Sequence, residues 1–356
     1  MKKLNLAIVG QGRSGRDIHG RFLKTENNKW FNVKYIVEAD DVRRAKAETE
    51  YDCKAFSSIE ELKGIEDIDL VVNSTYSDEH YRTTKKLLEY GFNVLCEKPF
   101  TRTRFECDDL IKTAKDNNVL LTVFHQTLIA PYVLKAREVL ERGVLGRPQL
   151  ITIKYNNFAR RWDWQTLQKR AAGNLYNTGP HPVGIAMSFL GFGEDIEAKF
   201  TYLDHSLVLG DAEDVVKLIL TAPGKPVVDI EVNSNDAFPD YVCKMQCEKG
   251  TFVTTHTDYK MRYIVDGENE EREVSDAFIY TGEDKTPAFC AEELISHYEE
   301  GTLDGDVFAE SVGGIYENIY NAITKGEELI VKPEEIARLI GIMEKAHVEN
   351  PMPIKF

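Results

Sequence analysis

The run Leu4-Asn5-Leu6-Ala7-Ile8-Val9-Gly10-Gln11-Gly12-Arg13-Ser14-Gly15 decides how this chain is read. A short apolar stretch of strand type ends in a complete G-x-G-x-x-G, and the pattern beyond it predicts a helix over residues 15–24. The order has a physical meaning. The first glycine permits a tight turn, the second lets backbone N–H groups approach a pyrophosphate, and the third lets the helix pack close to the strand. The helix amino terminus adds a field that favours phosphate. A purely structural turn would use the same glycines, but their place between strand and helix favours dinucleotide binding through Gly10, Gln11, Gly12, Arg13, Ser14 and Gly15.

Outward from this stretch the strand and helix signals alternate. Strands are expected at 33–37 and 68–72, a turn followed by a short buried strand within 91–95, an apolar run at 119–124, and helices at 42–50, 78–90 and 104–117. A capped start stands at 57–62. Such alternation implies a doubly wound parallel sheet, a Rossmann α/β domain. It stops near His125, so residues 1–124 are assigned to a dinucleotide-binding domain and 125–356 to a substrate-binding and oligomerisation domain. Glu38, after the second strand, is placed to bond an adenosine ribose. Arg43 and Arg44 read either as partners for a 2′-phosphate or as the solvated face of a helix, so the cofactor expected is NAD, with NADP possible. Ser74 and Thr75 fall on the same edge as the glycine loop.

The chain has 356 residues, enough for two cored domains. Its formal net charge of -15 repels a phosphate backbone, which weighs against nucleic acid and for a small-molecule partner. No C-x-x-C pair occurs among its 6 cysteines, and they read as buried thiols of a reducing compartment. The opening Met1-Lys2-Lys3 and the short apolar run after it fall short of a signal peptide, and no segment is apolar enough to span a bilayer. The protein is read as cytoplasmic.

The strand within 91–95 runs into Cys96-Glu97-Lys98-Pro99, which puts a carboxylate and an amine where open α/β sheets bind ligands. Taken alone, Glu97 and Lys98 read equally well as a solvated pair before a loop. Together with the glycine loop, Thr75, His80 and Gly91-x-x-Val94-x-x-Glu97-Lys98-Pro99, they make the chain resemble the glucose-fructose oxidoreductase and inositol dehydrogenase family (Gfo/Idh/MocA). Pro131 and the segment Leu140-Glu141-Arg142-Gly143-Val144-Leu145-Gly146 extend the resemblance into the second half. It implies a nicotinamide-dependent sugar or cyclitol oxidoreductase. In it the lysine of Glu97-Lys98-Pro99 reaches substrate and nicotinamide ribose, and a cis peptide precedes the proline.

The second half begins with a helix expected at 130–142. It continues through strands at 150–156, 196–202, 215–220, 227–233, 241–247 and 251–255, an exposed acidic turn at 266–273, and helices at 288–300, 308–324 and 333–347. Many strands without long helices between them predict a large, mostly antiparallel open sheet in an α+β domain. One face of that sheet is expected to join subunits into a homodimer or homotetramer.

Asn177 and His181 stand four apart, on one face if residues 175–190 are helical. A lone histidine is usually a satisfied polar group; the resemblance makes this one the base, taking a hydroxyl proton as hydride leaves, with Lys98 polarising the oxygen. Asn177 departs from the family's usual aspartate, and Gly184 stands where a carboxylate is common. Upstream, Arg160, Trp162, Asp163 and Trp164 concentrate two of the 3 tryptophans beside charged groups, and read as a pyranose platform or as loop anchors. Thr127 and Leu128 stand where relatives carry arginines, and His125 is a candidate pocket residue. The reading is an NAD(P)-dependent dehydrogenase acting on a secondary hydroxyl of a sugar, sugar derivative or cyclitol, with no metal required. Glycoside cleavage by oxidation and elimination, and a non-catalytic cofactor-binding regulator, are the alternatives.

Overall fold

A strand in the middle of a parallel sheet is buried on both faces and needs apolar residues throughout. The strand β1 (Leu4–Val9) meets that demand, with Leu6, Ala7 and Ile8 fully buried. The computed structural model describes residues 2–303, 305 and 307–356. Met1, where the first assigned domain begins, and Asp304 and Asp306 of the second lie outside the described residues. Six parallel strands, β1, β2 (Phe31–Val37), β3 (Lys54–Phe56), β4 (Leu70–Asn73), β5 (Val94–Cys96) and β6 (Leu121–Val123), form one sheet in the order β3-β2-β1-β4-β5-β6. This is the doubly wound order, with the ligand crevice at the carboxyl ends of β1 and β4. β3 is too short and half-exposed to have carried a sequence signal. The helix after the glycine loop is of the wide π type over Arg13–Gly20 and turns α-helical only at Arg21–Leu23.

The second sheet has eight strands, in the order β16-β13-β12-β11-β7-β10-β9-β8. They are β7 (Pro148–Lys154), β8 (Glu197–Asp204), β9 (Val215–Thr221), β10 (Val227–Asn233), β11 (Cys243–Cys247), β12 (Gly250–Thr254), β13 (Asp258–Tyr263) and β16 (His297–Thr302). A two-stranded hairpin, β14 (Tyr280–Thr281) with β15 (Thr286–Pro287), lies apart from both sheets. All pairs of the large sheet are antiparallel except β7 with β10. Alternate residues such as Ile151, Ile153, Val228, Ile230, Val216 and Leu218 point into the core, under the helix Pro180–Leu190. The opposite face leaves Leu150, Phe200 and Tyr202 exposed.

Three expectations need correction. The helix expected at 288–300 does not form. Its last residues are β16, paired along the whole of β13, while Leu294 and Ile295 before it stay exposed. With no core to receive an apolar helical face, the segment instead supplies a partner for the otherwise open edge of β13. The helix expected at 175–190 is two pieces, Asn174–Asn177 and Pro180–Leu190, because Pro180 has no N–H to continue the first. The six thiols are free but not uniformly buried: Cys290 is exposed, and Cys53 and Cys247 are half-buried.

The closing helices Val307–Lys325 and Pro333–Glu349 return to the first sheet. Tyr316 stacks on Phe22 at 5.4 Å, and the Val331 carbonyl accepts from Thr122. No helix among the described residues is long and apolar enough to cross a membrane.

Candidate active site

The glycine loop closes because Gly10 takes a positive φ of 92°, and a Cβ there would lie 2.6 Å from the Ser74 carbonyl oxygen. A Cβ on Gly15 would lie 2.0 Å from the Gly10 oxygen, whereas one on Gly12 would meet nothing within 4 Å. Gly10 and Gly15 are thus required by the protein's own packing, and the surface at Gly12 stands open for a ligand. The buried Gln11 amide oxygen has no partner, a further sign of a cradle suited to a dinucleotide. Ser74 ties the loop to β4, its hydroxyl donating to the Val9 carbonyl at 2.8 Å. Thr75 turns inward to Asn73 at 2.8 Å.

Glu38 is buried and accepts from the Gln11 and Asp40 N–H groups and from Arg43, at 2.8, 2.9 and 2.8 Å. Burial pushes its carboxyl up, but Arg43 and the two N–H groups more than offset this and hold it below the ordinary range. Arg44 points instead to the Glu38 and Asp41 side of its own helix. Arg13, exposed, and Ser14, half-buried, open the helix that follows Gly12.

At the end of β5 the peptide Lys98–Pro99 is cis, as the resemblance implied. Glu97 is buried; one oxygen receives the His19 Nε2–H at 3.2 Å and the other the Lys98 N–H at 3.0 Å. Tyr316 supports the arrangement, its hydroxyl 2.8 Å from His19 Nδ1. On the other side His80 Nδ1–H donates to the Pro99 carbonyl at 2.7 Å. The turn that aims Lys98 is therefore gripped by two buried histidines. Sequence reasoning singled out His80 and missed His19, although His19 sits on the helix opened by the glycine loop.

The Lys98 ammonium donates to the Asn177 backbone carbonyl at 2.6 Å, which joins the edge of the parallel sheet to the second half of the chain. Burial lowers its pKa and Arg13 and Arg161 lower it further, against the opposing pull of Glu97. His181, on the helix that follows, has Nδ1 3.0 Å from Thr127 Oγ1. Burial, then Lys98 and His125, depress its pKa well below the ordinary value, so the imidazole is neutral at physiological pH. His125 is buried, with its pKa lowered to about 3 by burial and Lys98, and its Nε2 has no partner. A Cβ on Gly184 would lie 2.2 Å from His125 Cε1, so the space a side chain at 184 would fill belongs to the histidine ring.

The Asn177 side chain accepts from Gln165 at 2.8 Å; Gln165 in turn accepts from Arg161, which holds Asp163 in a two-pronged pair at 2.7 and 2.8 Å. Of the aromatic-rich stretch, Trp164 packs edge-on against Tyr76 at 4.9 Å, beside the cofactor edge. Trp162 is 77% exposed and Arg160 is exposed, so neither is drawn into this cluster. Arg161, Gln165 and Thr127 are thus residues to which reading the sequence gave no place in the site, and His19 is one it passed over. Only a fold that brings together residues 98, 127, 165 and 177 reveals them.

Residues 4–125 match the family description "Oxidoreductase family, NAD-binding Rossmann fold", and residues 133–253 match the GFO/IDH/MocA C-terminal domain. A 2,7-anhydro-N-acetylneuraminate hydratase of Mediterraneibacter gnavus is 23% identical over 76% of this chain and 72% of its own. The scyllo-inositol 2-dehydrogenase (NADP(+)) of Bacillus subtilis is 25% identical over 55% of this chain and 54% of its own. A crystal structure of a protein of gentamicin A biosynthesis, in complex with NAD, superposes with a TM-score of 0.73 at 18% identity, covering 98% of this chain and 94% of that one.

Proposed function

The chain belongs to the Gfo/Idh/MocA oxidoreductase family, and from that premise we propose that it moves hydride between a nicotinamide and a secondary hydroxyl of a sugar, sugar derivative or cyclitol. The observation that carries this reading is the bond from the Lys98 ammonium to the Asn177 carbonyl, four residues before His181. It sets an ammonium and a neutral imidazole from two halves of the chain beside the glycine-loop edge. The bound nicotinamide supplies the hydride acceptor. Gly10 to Gly15 would hold its pyrophosphate and Glu38 its adenosine ribose. Lys98 polarises the substrate oxygen and His181 takes the hydroxyl proton, a task for which a neutral ring is required. His125 Nε2, a buried acceptor without a partner, is suited to a substrate hydroxyl. Asn177, Asp163 and Trp164 shape the wall behind it.

Residues 1–124 are assigned to cofactor and 125–356 to substrate and assembly. The exposed apolar residues on the outer face of the large sheet fit a homo-oligomer.

The test is to incubate the protein with NAD or NADP and a panel of sugars, cyclitols and glycosides, following reduced cofactor and product together. The reading expects one mole of oxidised product per mole of reduced cofactor. An eliminated aglycone with no net reduced cofactor would replace it by oxidation-elimination, a reading to which a relative bearing the name of a hydratase lends weight. Cofactor binding without turnover of any compound would make the protein a sensor.

A further inference from the structure

A base that accepts a proton beside a half-buried ammonium, that of Lys98, faces an electrostatic problem. The groups facing His181 are Lys98, the His125 ring at 5.7 Å between centroids, the Tyr155 ring stacked at 6.2 Å and Thr127. Behind Tyr155 stand Tyr132, bonded to it hydroxyl to hydroxyl, and His256. Among the described residues His181 has no hydrogen bond to a carboxylate. The two carboxylates nearest in the network are engaged elsewhere, Glu97 by His19 and Asp163 by Arg161. Position 177 is an amide, and position 184 is a glycine whose side-chain space the His125 ring fills. An imidazolium here would be desolvated, would face a like charge and would have no counter-ion.

The ring can avoid that charge if it loses one proton as it gains the other. Nδ1 is 3.0 Å from Thr127 Oγ1, and Thr127 is partly open to solvent. We propose that Thr127 is the proton exit of this site. As His181 Nε2 takes the hydroxyl proton of the substrate, the Nδ1 proton passes to Thr127 Oγ1, and the threonine's own hydroxyl proton passes to water.

The balance closes. The substrate C–H leaves as hydride to the oxidised nicotinamide, its O–H proton enters the relay, one proton reaches solvent, and imidazole and hydroxyl end as they began with the roles of the two ring nitrogens exchanged. Once product has left, Nε2 gives its proton to water in the emptied site and Nδ1 takes one back from solvent through Thr127, which restores the resting tautomer with no net change in protons. Thr127 acts through His181 and not on the substrate, so it is a positioning residue. The inference rests on the oxidoreductase reading above.

Thr127→Val removes the hydroxyl at constant shape, and Thr127→Ser keeps it. On a compound that the wild type oxidises, the valine variant is expected to lower kcat about 100-fold, the scale of one proton-transfer contribution. NADH affinity should not change, and kcat of the valine variant should rise with pH as hydroxide replaces the missing exit. The serine variant should return kcat to within a few-fold. A valine variant within about threefold of wild type, or a serine variant as impaired as valine, overturns the proposal.

A second arm needs no substrate. Nitrogen-15 NMR of the histidine rings should place the resting proton of His181 on Nδ1 in the wild type and show that preference lost in Thr127→Val. A resting proton on Nε2, with Thr127 donating, overturns the proposal whether or not turnover is found. Absence of turnover on the whole panel counts against the oxidoreductase reading alone and leaves this arm to decide for Thr127.

Discussion

The two walls of the crevice solve the same problem, holding polar groups away from water, in opposite ways. On the cofactor wall the charged side chains are already paired within the protein: Glu38 with Arg43 and two backbone N–H groups, Glu97 with His19 and the Lys98 N–H. On the substrate wall, beside the Arg161–Asp163 pair, the groups nearest Lys98 are neutral and partly unpaired: an amide at Asn177, an imidazole at His181 and a bare acceptor at His125 Nε2. A wall that receives the same dinucleotide on every turnover can be rigid and self-satisfied. On the proposed reading, the wall that binds, deprotonates and releases a polyol leaves acceptors open, at a cost of about 1–3 kcal/mol for each buried one. Lys98 belongs to the first wall by its backbone and to the second by its ammonium.

The largest effect expected from breaking this contrast is on the substrate wall. His181→Ala should lower kcat about 1,000-fold, some 4 kcal/mol, while NADH binding, followed by nicotinamide fluorescence, stays as in wild type. Equal loss of both would mean that the walls are not separable. The next largest effect belongs to the cofactor wall and is one of stability. His19→Ala leaves the Glu97 carboxylate buried without its side-chain partner, which should cost about 3 kcal/mol in denaturant unfolding. Burial pushes the Glu97 carboxyl up, yet His19, then Lys98 and His80, hold it below the ordinary range. A carboxyl lowered on folding contributes stability above its unfolded pKa of about 4.3 that is lost as pH falls through the folded value. Wild-type stability should therefore fall on acidification through that window, and Glu97→Gln should flatten this part of the profile.

The contrast also explains what the sequence made legible. Gly10, Gly12, Gly15, Glu38, Ser74 and the turn at Lys98 lie at strand ends, so their spacing along the chain is set by the β-α repeat and can be read from it. β1 is found where the apolar run placed it, at residues 4–9. The substrate wall is assembled from residues distant in sequence: Thr127 meets His181, Gln165 meets Asn177, and His125 fills the space over Gly184. No local periodicity encodes such meetings. His19 escaped for another reason, since a buried histidine on a helix has no signature apart from its partner, Glu97, 78 residues on. The strand β16 escaped because its partner β13, not its own composition, decides its conformation.

A smaller effect tests whether the open acceptor at His125 was obtained by giving up a side chain at 184. Gly184→Ala drives a methyl group to within 2.2 Å of the His125 ring and should cost about 2 kcal/mol as overpacking in thermal melts. His125→Ala in the same chain should recover most of that loss without restoring turnover. If the single substitution is neutral, the ring moves freely, and the claim that the substrate wall holds a fixed acceptor fails.

The smallest effect lies at the far end of the cofactor wall, and it bears on NAD against NADP. Three of the roughly four acceptor directions of the Glu38 carboxylate are filled by protein donors, which leaves one for a ribose hydroxyl. A 2′-phosphate in the same place would meet a buried anion, unless Arg43 left Glu38 to neutralise it. The Arg43 side chain is 54% exposed, so its pair with Glu38 is screened and worth no more than about 1 kcal/mol. Arg43→Ala should therefore weaken NADH binding by about threefold at most, because the two backbone donors still fix Glu38. It should weaken NADPH binding more, because it removes the cation paired with the Glu38 carboxylate that could turn to the phosphate. Fluorescence titration of both nucleotides separates the cases. Equal loss for NADH and NADPH would show that Arg43 serves only to hold Glu38, and that the cofactor wall discriminates through the carboxylate alone.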